Sequence, residues 1–369
     1  MSQRGWSCGV LCGPQLDFEG GGALPQILAD HRLPVERRAG PEGETSTTLY
    51  HFRREGVPVT IYAPDGPPHP AGPKEGDAFL HLFEEMVEQF RPDVLLSYGG
   101  TWPTPALFDR ARRRGLAVVF ALHNFAYTDA AMFRDMDAVL VPSRFSAEHY
   151  QRTLGLRCTA LPGLCNLTRS HCEKVEGRYA TFINPQLDKG LSWFARIAHE
   201  LGRRRPDIPL LVVEGRGRAD TLAGLGLDFS SQRSLFRMAN TPDPRDFYRV
   251  SRLVLMPSLW RESFGRVAVE AVDNGVPVLA SRRGALPETL GAAGFVFDIP
   301  ERYTPESRLV PATAEVLPWV ETIARLWDDE PFYEQCRQRC LDAARHWQPE
   351  HLLPQYEAFF QRLIGTRPR

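Results

Sequence analysis

Along this chain, short apolar runs alternate with longer stretches whose apolar residues recur every three or four positions. The runs at 9–13, 57–62, 94–97, 117–122 and 138–141 read as buried strands, and the stretches at 78–90, 105–114 and 143–154 as helices. The strongest helix is 78–90, where Phe79, Leu82, Phe83, Met86, Val87 and Phe90 share one face. Between the first two strands the pattern weakens. A loop carries Gly20, Gly21 and Gly22, a short helix starts at Ala23, residues 32–44 read as a polar surface excursion, and Thr45 or Ser46 can cap a helix running to Glu55. A stretch at 162–177 reads as a linker, after which the alternation restarts. Strands are expected at 179–183, 210–214, 234–237, 253–256, 276–280 and 295–297, with helices at 190–203, 244–251, 316–326, 331–345 and 350–363. This alternation predicts an α/β fold built on doubly wound parallel sheets.

Length and composition narrow the picture. A chain of 369 residues suggests two domains, and 43% hydrophobic residues can supply two sizeable cores. The natural boundaries are 1–165 and 166–346, with 347–369 as a separate C-terminal helical segment. A net charge of −1 gives no global pull toward nucleic acid. The arginine runs 112–114 and 203–205 read as solvated helix ends. The seven cysteines form no CxxC pair and no Cys/His cluster, which argues against a metal site and for reduced thiols in a cytosol. No signal peptide and no run of eighteen apolar residues is found, so a cytoplasmic, non-spanning protein is expected.

The chemistry concentrates in residues 256–291, MPSLWRESFGRVAVEAVDNGVPVLASRRGALPETLG. This stretch reads as the end of a strand, a helix whose apolar face is Phe264, Val267, Ala268, Ala271 and Val272, a closing Gly275, and a second strand: a parallel crossover. Glu262 and Glu270 stand eight residues apart. On one helix that is roughly 12 Å along the axis, too far for an acid/base pair on one bond but suited to the two ends of one long ligand. Between them Ser263, Phe264, Gly265 and Arg266 fall at the helix start, where free N–H groups and the dipole favour an anion. Gly265 permits close backbone approach. Carboxylate, anion cradle, carboxylate is the order of a nucleotide sugar: sugar, diphosphate, ribose.

These residues carry a resemblance. E-S-F-G-R-V-A-V-E-A, followed by G-V-P-V-L-A-S and G-A-L-P-E, is similar to the E-x7-E signature of retaining glycosyltransferases of family four. The resemblance implies the GT-B fold: two Rossmann-like domains facing a central cleft, an N-terminal acceptor domain, a C-terminal donor domain, and a last helix crossing back onto the first domain. It implies that Glu262 meets the donor sugar, Glu270 the ribose diol, and the loop between them the diphosphate. His123, at the carboxyl end of the 117–122 strand, falls where ligands bind in open α/β sheets; a histidine there can also satisfy loop backbone, but its position favours the cleft, and the family places a histidine there near the reacting centre. Gly21 and Gly22 by themselves read as a flexible loop; the family sets a glycine pair there against donor phosphate and acceptor, which makes a site reading equally good. Tyr98 and the glycines after it could shape an acceptor pocket, and Glu288 falls in the loop near the donor base.

The family's G-R-x-x-x-x-K-G pattern, whose Arg and Lys neutralise the diphosphate, reads I-N-P-Q-L-D-K-G here. Lys189 and Gly190 match it, while Asn184 stands in the Arg position. Arg216, in the glycine loop Gly215-Arg216-Gly217, is a candidate for the missing charge. Asp135-Met136-Asp137 matches the metal motif of the other major glycosyltransferase fold, but inside a domain of the wrong pattern it reads as chance.

The expectation is therefore a metal-independent retaining glycosyltransferase. It would use a UDP- or GDP-type sugar with no further cofactor. Its acceptor would be a glycan, a lipid-linked molecule or a small molecule, with peripheral membrane contact open and no nucleic-acid partner. His123, Lys189 and Glu262 are the catalytic candidates. Gly21, Gly22, Asn184, Lys189, Arg216, Ser263, Phe264, Gly265, Arg266 and Glu270 are the donor-binding candidates. The alternatives are a nucleotide-sugar epimerase or phosphorylase of the same fold, or a non-catalytic sugar-nucleotide-binding protein.

Overall fold

The computed structural model describes residues 1–13, 24–30, 32–40, 46–64, 73–99 and 104–365. Gly21 and Gly22 lie outside the described residues. The chain divides into two compact units, one of Met1–Leu122, Asp129–Leu140 and Tyr356–Arg369, the other of His123–Thr128 and Val141–Gln355. No helix of the described residues is long and apolar enough to cross a membrane.

The first unit opens with β1 (Val10–Cys12), α1 (Leu24–Asp30), β2 (Glu36–Ala39), β3 (Thr47–Arg54), β4 (Val57–Pro64) and α2 (Pro73–Phe90). Its first sheet has the order β1-β4-β3-β2, with β1 parallel to β4 and the rest antiparallel. Two expectations fail here. Residues 47–54 form a strand, not a helix, and 36–39 of the expected excursion pair with it as an edge strand. The reason is local. Leu49 and Tyr50 bury on opposite faces of β3, a period of two. Glu55 and Gly56 both take positive φ, at 51° and 81°, closing a two-residue hairpin. A Thr-rich start is as good for a strand as for a helix cap, and the hairpin decides. The unit continues with β5 (Val94–Ser97), α3 (Thr104–Arg113), β6 (Ala117–Ala121) and β7 (Ala138–Val141), of which β5, β6 and β7 pair in parallel. Arg112, Arg113 and Arg114 pair with Asp135, Asp109 and Glu88. Of the D-x-D pair, Asp135 is thus spent on Arg112, and Asp137 accepts the Val118 N–H at 2.7 Å.

The second unit continues through α4 (Arg144–Leu154), β8 (Thr159–Ala160), β9 (Tyr179–Ile183), α5 (Leu191–Arg204), β10 (Leu210–Val213), β11 (Leu235–Met238), α6 (Arg245–Tyr248), β12 (Ser251–Met256), α7 (Arg266–Asp273), β13 (Val278–Ser281), α8 (Leu286–Leu290), β14 (Gly294–Phe297), α9 (Thr313–Asp328) and α10 (Glu330–Ala344). Its six-stranded parallel sheet runs β11-β10-β9-β12-β13-β14. Alternate residues of each strand feed opposite cores. Phe182, Leu210, Val212, Leu253, Leu255 and Leu279 pack with α5 and α9. Leu211, Val213, Val254, Met256, Val278 and Ala280 pack with α7, α8 and α10. This is the doubly wound arrangement that the alternation predicts. The last helix, α11 (Pro349–Gly365), enters the first unit from Tyr356 on, where Glu357 pairs with Arg4 at 2.7 Å and Phe360 meets Trp6 edge-on.

In the sheet of the second unit, the loop after β9 and the loop after β12 touch backbone to backbone. Gly190 has φ 85°, and a Cβ there would stand 1.9 Å from the Pro257 carbonyl oxygen. We expect Gly190→Ala to lose about 2–5 kcal/mol, the sum of a left-handed conformation and an overpacked contact. Gly226 has φ 72° with nothing within 4 Å of an added Cβ, so Gly226→Ala should lose only the conformational part, about 1–2 kcal/mol. Urea unfolding of both variants checks this; equal midpoints would show that the close approach is not the limiting contact.

Candidate active site

The strand order of the second unit reverses between β9 and β12. β10 and β11 extend from β9 on one side, and β13 and β14 extend from β12 on the other. In open α/β sheets ligands gather outside the carboxyl ends of the strands at this switch point. The two loops that leave it are 184–190 and 257–265, and both carry predicted site residues. Lys189 Nζ donates to Glu262 Oε1 at 2.7 Å, and Ser258 Oγ donates to the same oxygen at 2.9 Å. The two charged side chains are only 30% and 14% exposed, so their pairing is poorly screened. Main-chain bonds fix the loops beneath them: the Leu259 and Trp260 N–H groups both donate to Asp188 O at 2.9 Å. Glu262 is further held by Ala285 N–H on its carbonyl at 2.7 Å, where Gly284, φ 67°, lets the backbones meet.

The expectation of one helix bearing both glutamates is corrected. α7 starts only at Arg266, with Gly265 before it at φ 92°. Glu262 lies in the preceding loop, bridged to Gly284 as a short piece of sheet. The axial separation of roughly 12 Å therefore does not apply. The remaining motif residues take different places. Ser263 Oγ donates to the His123 carbonyl, and its own carbonyl accepts from Ser143 Oγ at 2.7 Å and Ser146 Oγ at 3.2 Å. The Phe264 side chain is not available to a ligand: it is buried against Cys165, Leu167, Val269 and Trp347. Its part in the site is to seat the start of α7, whose first internal bond runs from Ala268 N–H to Gly265 O. The N–H groups before Ala268 lie at the positive end of the helix. The Arg266 side chain is 76% exposed.

Glu270 is set deeper. Its Oε2 accepts from the Tyr248 hydroxyl at 2.9 Å, and Arg266 Nε stands 3.5 Å from Oε1. Burial raises its carboxyl pKa above the usual value, while the Tyr248 hydrogen bond and the Arg266 charge oppose that rise. Burial beside this carboxyl also pushes the Tyr248 hydroxyl well up, so it remains a donor. Asn274 ties the turn down, donating to Glu270 O at 2.8 Å and Ser170 O at 2.9 Å.

Asn184 sits at φ 59°, a left-handed conformation that Asn tolerates better than Arg. Its Oδ1 accepts the Gly217 N–H at 2.9 Å and its Nδ2 donates to Gln186 at 2.9 Å. Its amide joins the loop after β9 to the loop after β10. That bond holds the exposed Arg216 at the carboxyl end of the sheet. His123 belongs to the same unit, with its imidazole pKa lowered by burial, so it is neutral at pH 7. Glu288 accepts the first two N–H groups of α4, Arg144 and Phe145, at 2.9 Å each. No spacing signal in the sequence marks Tyr248 or Ser258, and Ser143 stands out only as the start of the expected helix 143–154. Among the described residues no group of three or more His, Cys, Asp or Glu is arranged to hold a metal ion.

Comparison with known proteins gives the site a context. Residues 179–306 match the family model described as glycosyl transferases group 1. The chain is 34% identical over 126 residues to the D-inositol 3-phosphate glycosyltransferase of Corynebacterium kroppenstedtii, covering 30% of this chain and 27% of that protein. It is 28% identical over 213 residues to the lipopolysaccharide 1,2-N-acetylglucosaminetransferase of Salmonella typhimurium, covering 50% of this chain and 55% of that one. The chain thus spans between about a quarter and about half the length of these relatives. Among solved structures, Anabaena HepE in complex with UDP-glucose superposes with a TM-score of 0.65 at 15% identity, over 96% of this chain and 99% of the other. Residues 179–306 are thus similar to the glycosyl transferases group 1 family, and the chain has the GT-B fold of its structural neighbours.

Proposed function

We propose that the chain moves a sugar from a nucleotide-diphosphate sugar, of UDP or GDP type, to an acceptor hydroxyl, with retention of anomeric configuration and without a divalent metal or further cofactor. The observation that carries the reading is the Lys189–Glu262 pair at the switch point, beside the start of α7. A diphosphate placed there meets Lys189 and the N–H groups at the positive end of α7. The ammonium now committed to Glu262 would then be shared with phosphate oxygens, freeing the Glu262 carboxylate to accept from sugar hydroxyls. Glu270, one helical stretch further on, would take the ribose diol.

The chemical step breaks the bond between the sugar's anomeric carbon and the leaving phosphate oxygen, and forms a bond to the acceptor oxygen on the same face. The leaving diphosphate takes the acceptor's proton, so no enzymic base is required. Its developing charge is met by Lys189, Arg216 and the α7 amides. A neutral His123 can offer one hydrogen bond to the sugar near the reacting carbon without adding a like charge to Lys189. The acceptor class, whether glycan, lipid-linked or small molecule, is left to loops, which vary freely. The names of the relatives, an inositol phosphate and a lipopolysaccharide transferase, support polyol or glycan acceptors.

Three outcomes are expected. Sugar transfer should survive a chelator in full; loss of turnover restored by manganese would overturn the metal-free mechanism. Glu270→Ala should weaken free nucleoside diphosphate about tenfold, whereas Glu262→Ala should leave that affinity nearly intact and reduce turnover of the full donor. The reverse order in a titration would show the two roles to be exchanged or wrong. Arg216→Ala should also cost about tenfold in diphosphate affinity, with Arg216→Lys recovering most of it. Equal affinity of Arg216→Ala and the native protein would make Arg216 a surface residue only. Restoring the charge at Asn184 is not a sound test, because Arg there would remove the bond to Gly217 N–H and strain a left-handed backbone.

A further inference from the structure

A wholly buried phenol has to place its hydroxyl somewhere, and Tyr248, the last residue of α6, is 0% exposed. Its hydroxyl donates to Glu270 Oε2, 22 positions on in sequence, at 2.9 Å, with the Val267 carbonyl a weaker second acceptor at 3.4 Å. The other groups facing Glu270 are few. Arg266, on α7 itself, is 3.5 Å from Oε1 but its side chain is 76% exposed and screened by water. Cys165, from the segment before β9, is a buried thiol pushed up to about 12, and so neutral. Asp273, one turn on, is held by His171 and Gln348. No partner in this set other than Tyr248 is both buried and a donor to the carboxylate.

We propose that Tyr248 is a positioning residue for the nucleotide: it holds Glu270 ionised, with Oε2 committed inward and Oε1 offered to the two ribose hydroxyls. This rests on the reading of Glu270 as the ribose ligand given above. The physical reason is the opposition already seen at this carboxyl. Burial favours its neutral form, and a protonated acid would offer a hydroxyl donor where the ribose needs an acceptor. The tyrosine hydrogen bond favours the charged form, and being neutral itself, it does so without attracting the diphosphate away from Lys189. A phenylalanine would fill the same space and remove that hydrogen bond, leaving the carboxyl beside the exposed Arg266.

The test is a titration of UDP and GDP and their 2′,3′-dideoxy counterparts, from about pH 5 to pH 9, on the native protein, Tyr248→Phe, Glu270→Gln and the double variant. The native protein should prefer the ribose form, and lose that preference as pH falls through the raised Glu270 pKa. In Tyr248→Phe the loss should begin at higher pH. At any pH where the native protein has lost part of its ribose preference the variant should have lost more of it, and the preference should return as pH rises. In the Glu270→Gln background, Tyr248→Phe should change nothing in that preference. A Tyr248→Phe protein with lowered thermal stability but an unmoved pH midpoint would overturn the proposal and leave Tyr248 as packing. So would an equal effect in the Glu270→Gln background. A native protein that binds neither nucleotide, or binds the dideoxy forms equally well, would overturn the donor reading itself and this inference with it, and that outcome is separable because it appears before any substitution is made.

Discussion

The constraint on which the site depends is a backbone contact that has no room for a side chain. At the end of β9 the chain turns through Gly190 against the carbonyl of Pro257, at the end of β12. Because nothing separates the two main chains, the Asp188 carbonyl can take both N–H groups of Leu259 and Trp260. These bonds set Lys189 beside Glu262, closely enough for a 2.7 Å ion pair between partly buried side chains. A side chain at 190 would push the loops apart and separate the charges. The same logic recurs at Gly284, where the chain after β13 meets Glu262. Adjacent strand ends at the switch point are thus locked by main-chain bonds, and the charged groups stand on a rigid base.

On the proposed reading the ion pair would also make the site switchable by an anion. Lys189 has an internal partner, so a diphosphate would have to be the better one, through its greater charge and the N–H groups at the start of α7. Glu262 would then lose its cation and become an acceptor for hydroxyls. Phe264 makes this arrangement stable without entering it. Its ring is buried against Cys165, Leu167, Val269 and Trp347, which fixes where α7 begins and hence where its positive end lies. Glu270 solves a different problem, a carboxylate taken mostly out of water, by hydrogen-bonding to a tyrosine from a neighbouring helix.

Much of this architecture is legible in the sequence, because it is written in local periodicities. Strand and helix alternation in residues 179–345 predicts the doubly wound sheet, and the observed strands place successive residues on opposite cores as a period of two requires. Ser143 caps α4 where the helix is expected to start. Residues 36–54 depart from the pattern for a reason of the same kind: polar and Thr-rich residues satisfy a helix cap and an edge hairpin equally well, and only pairing with β4 selects the strand. Motif residues were legible as a set, but not their grouping. Glu262 and Glu270 look like two positions on one helix, yet the helix begins between them, at Arg266, because Gly265 takes a left-handed conformation.

What the sequence by itself determined, then, is which residue types are available at the strand ends: a lysine before a glycine after β9, a glutamate and a helix start after β12, an arginine between glycines after β10. What only the tertiary structure decided is who meets whom. Lys189 and Glu262 are 73 positions apart, Asn184 and Gly217 33, and Tyr248 and Glu270 22. Periodicity reports the conformation of neighbours along the chain and carries no information on which distant side chain arrives within 3 Å. The physical reason Asn184 occupies the arginine position is of that kind. Its amide is needed to bond the Gly217 N–H across from β10 and to tolerate a left-handed backbone, demands that arise only after the sheet has brought the two loops together.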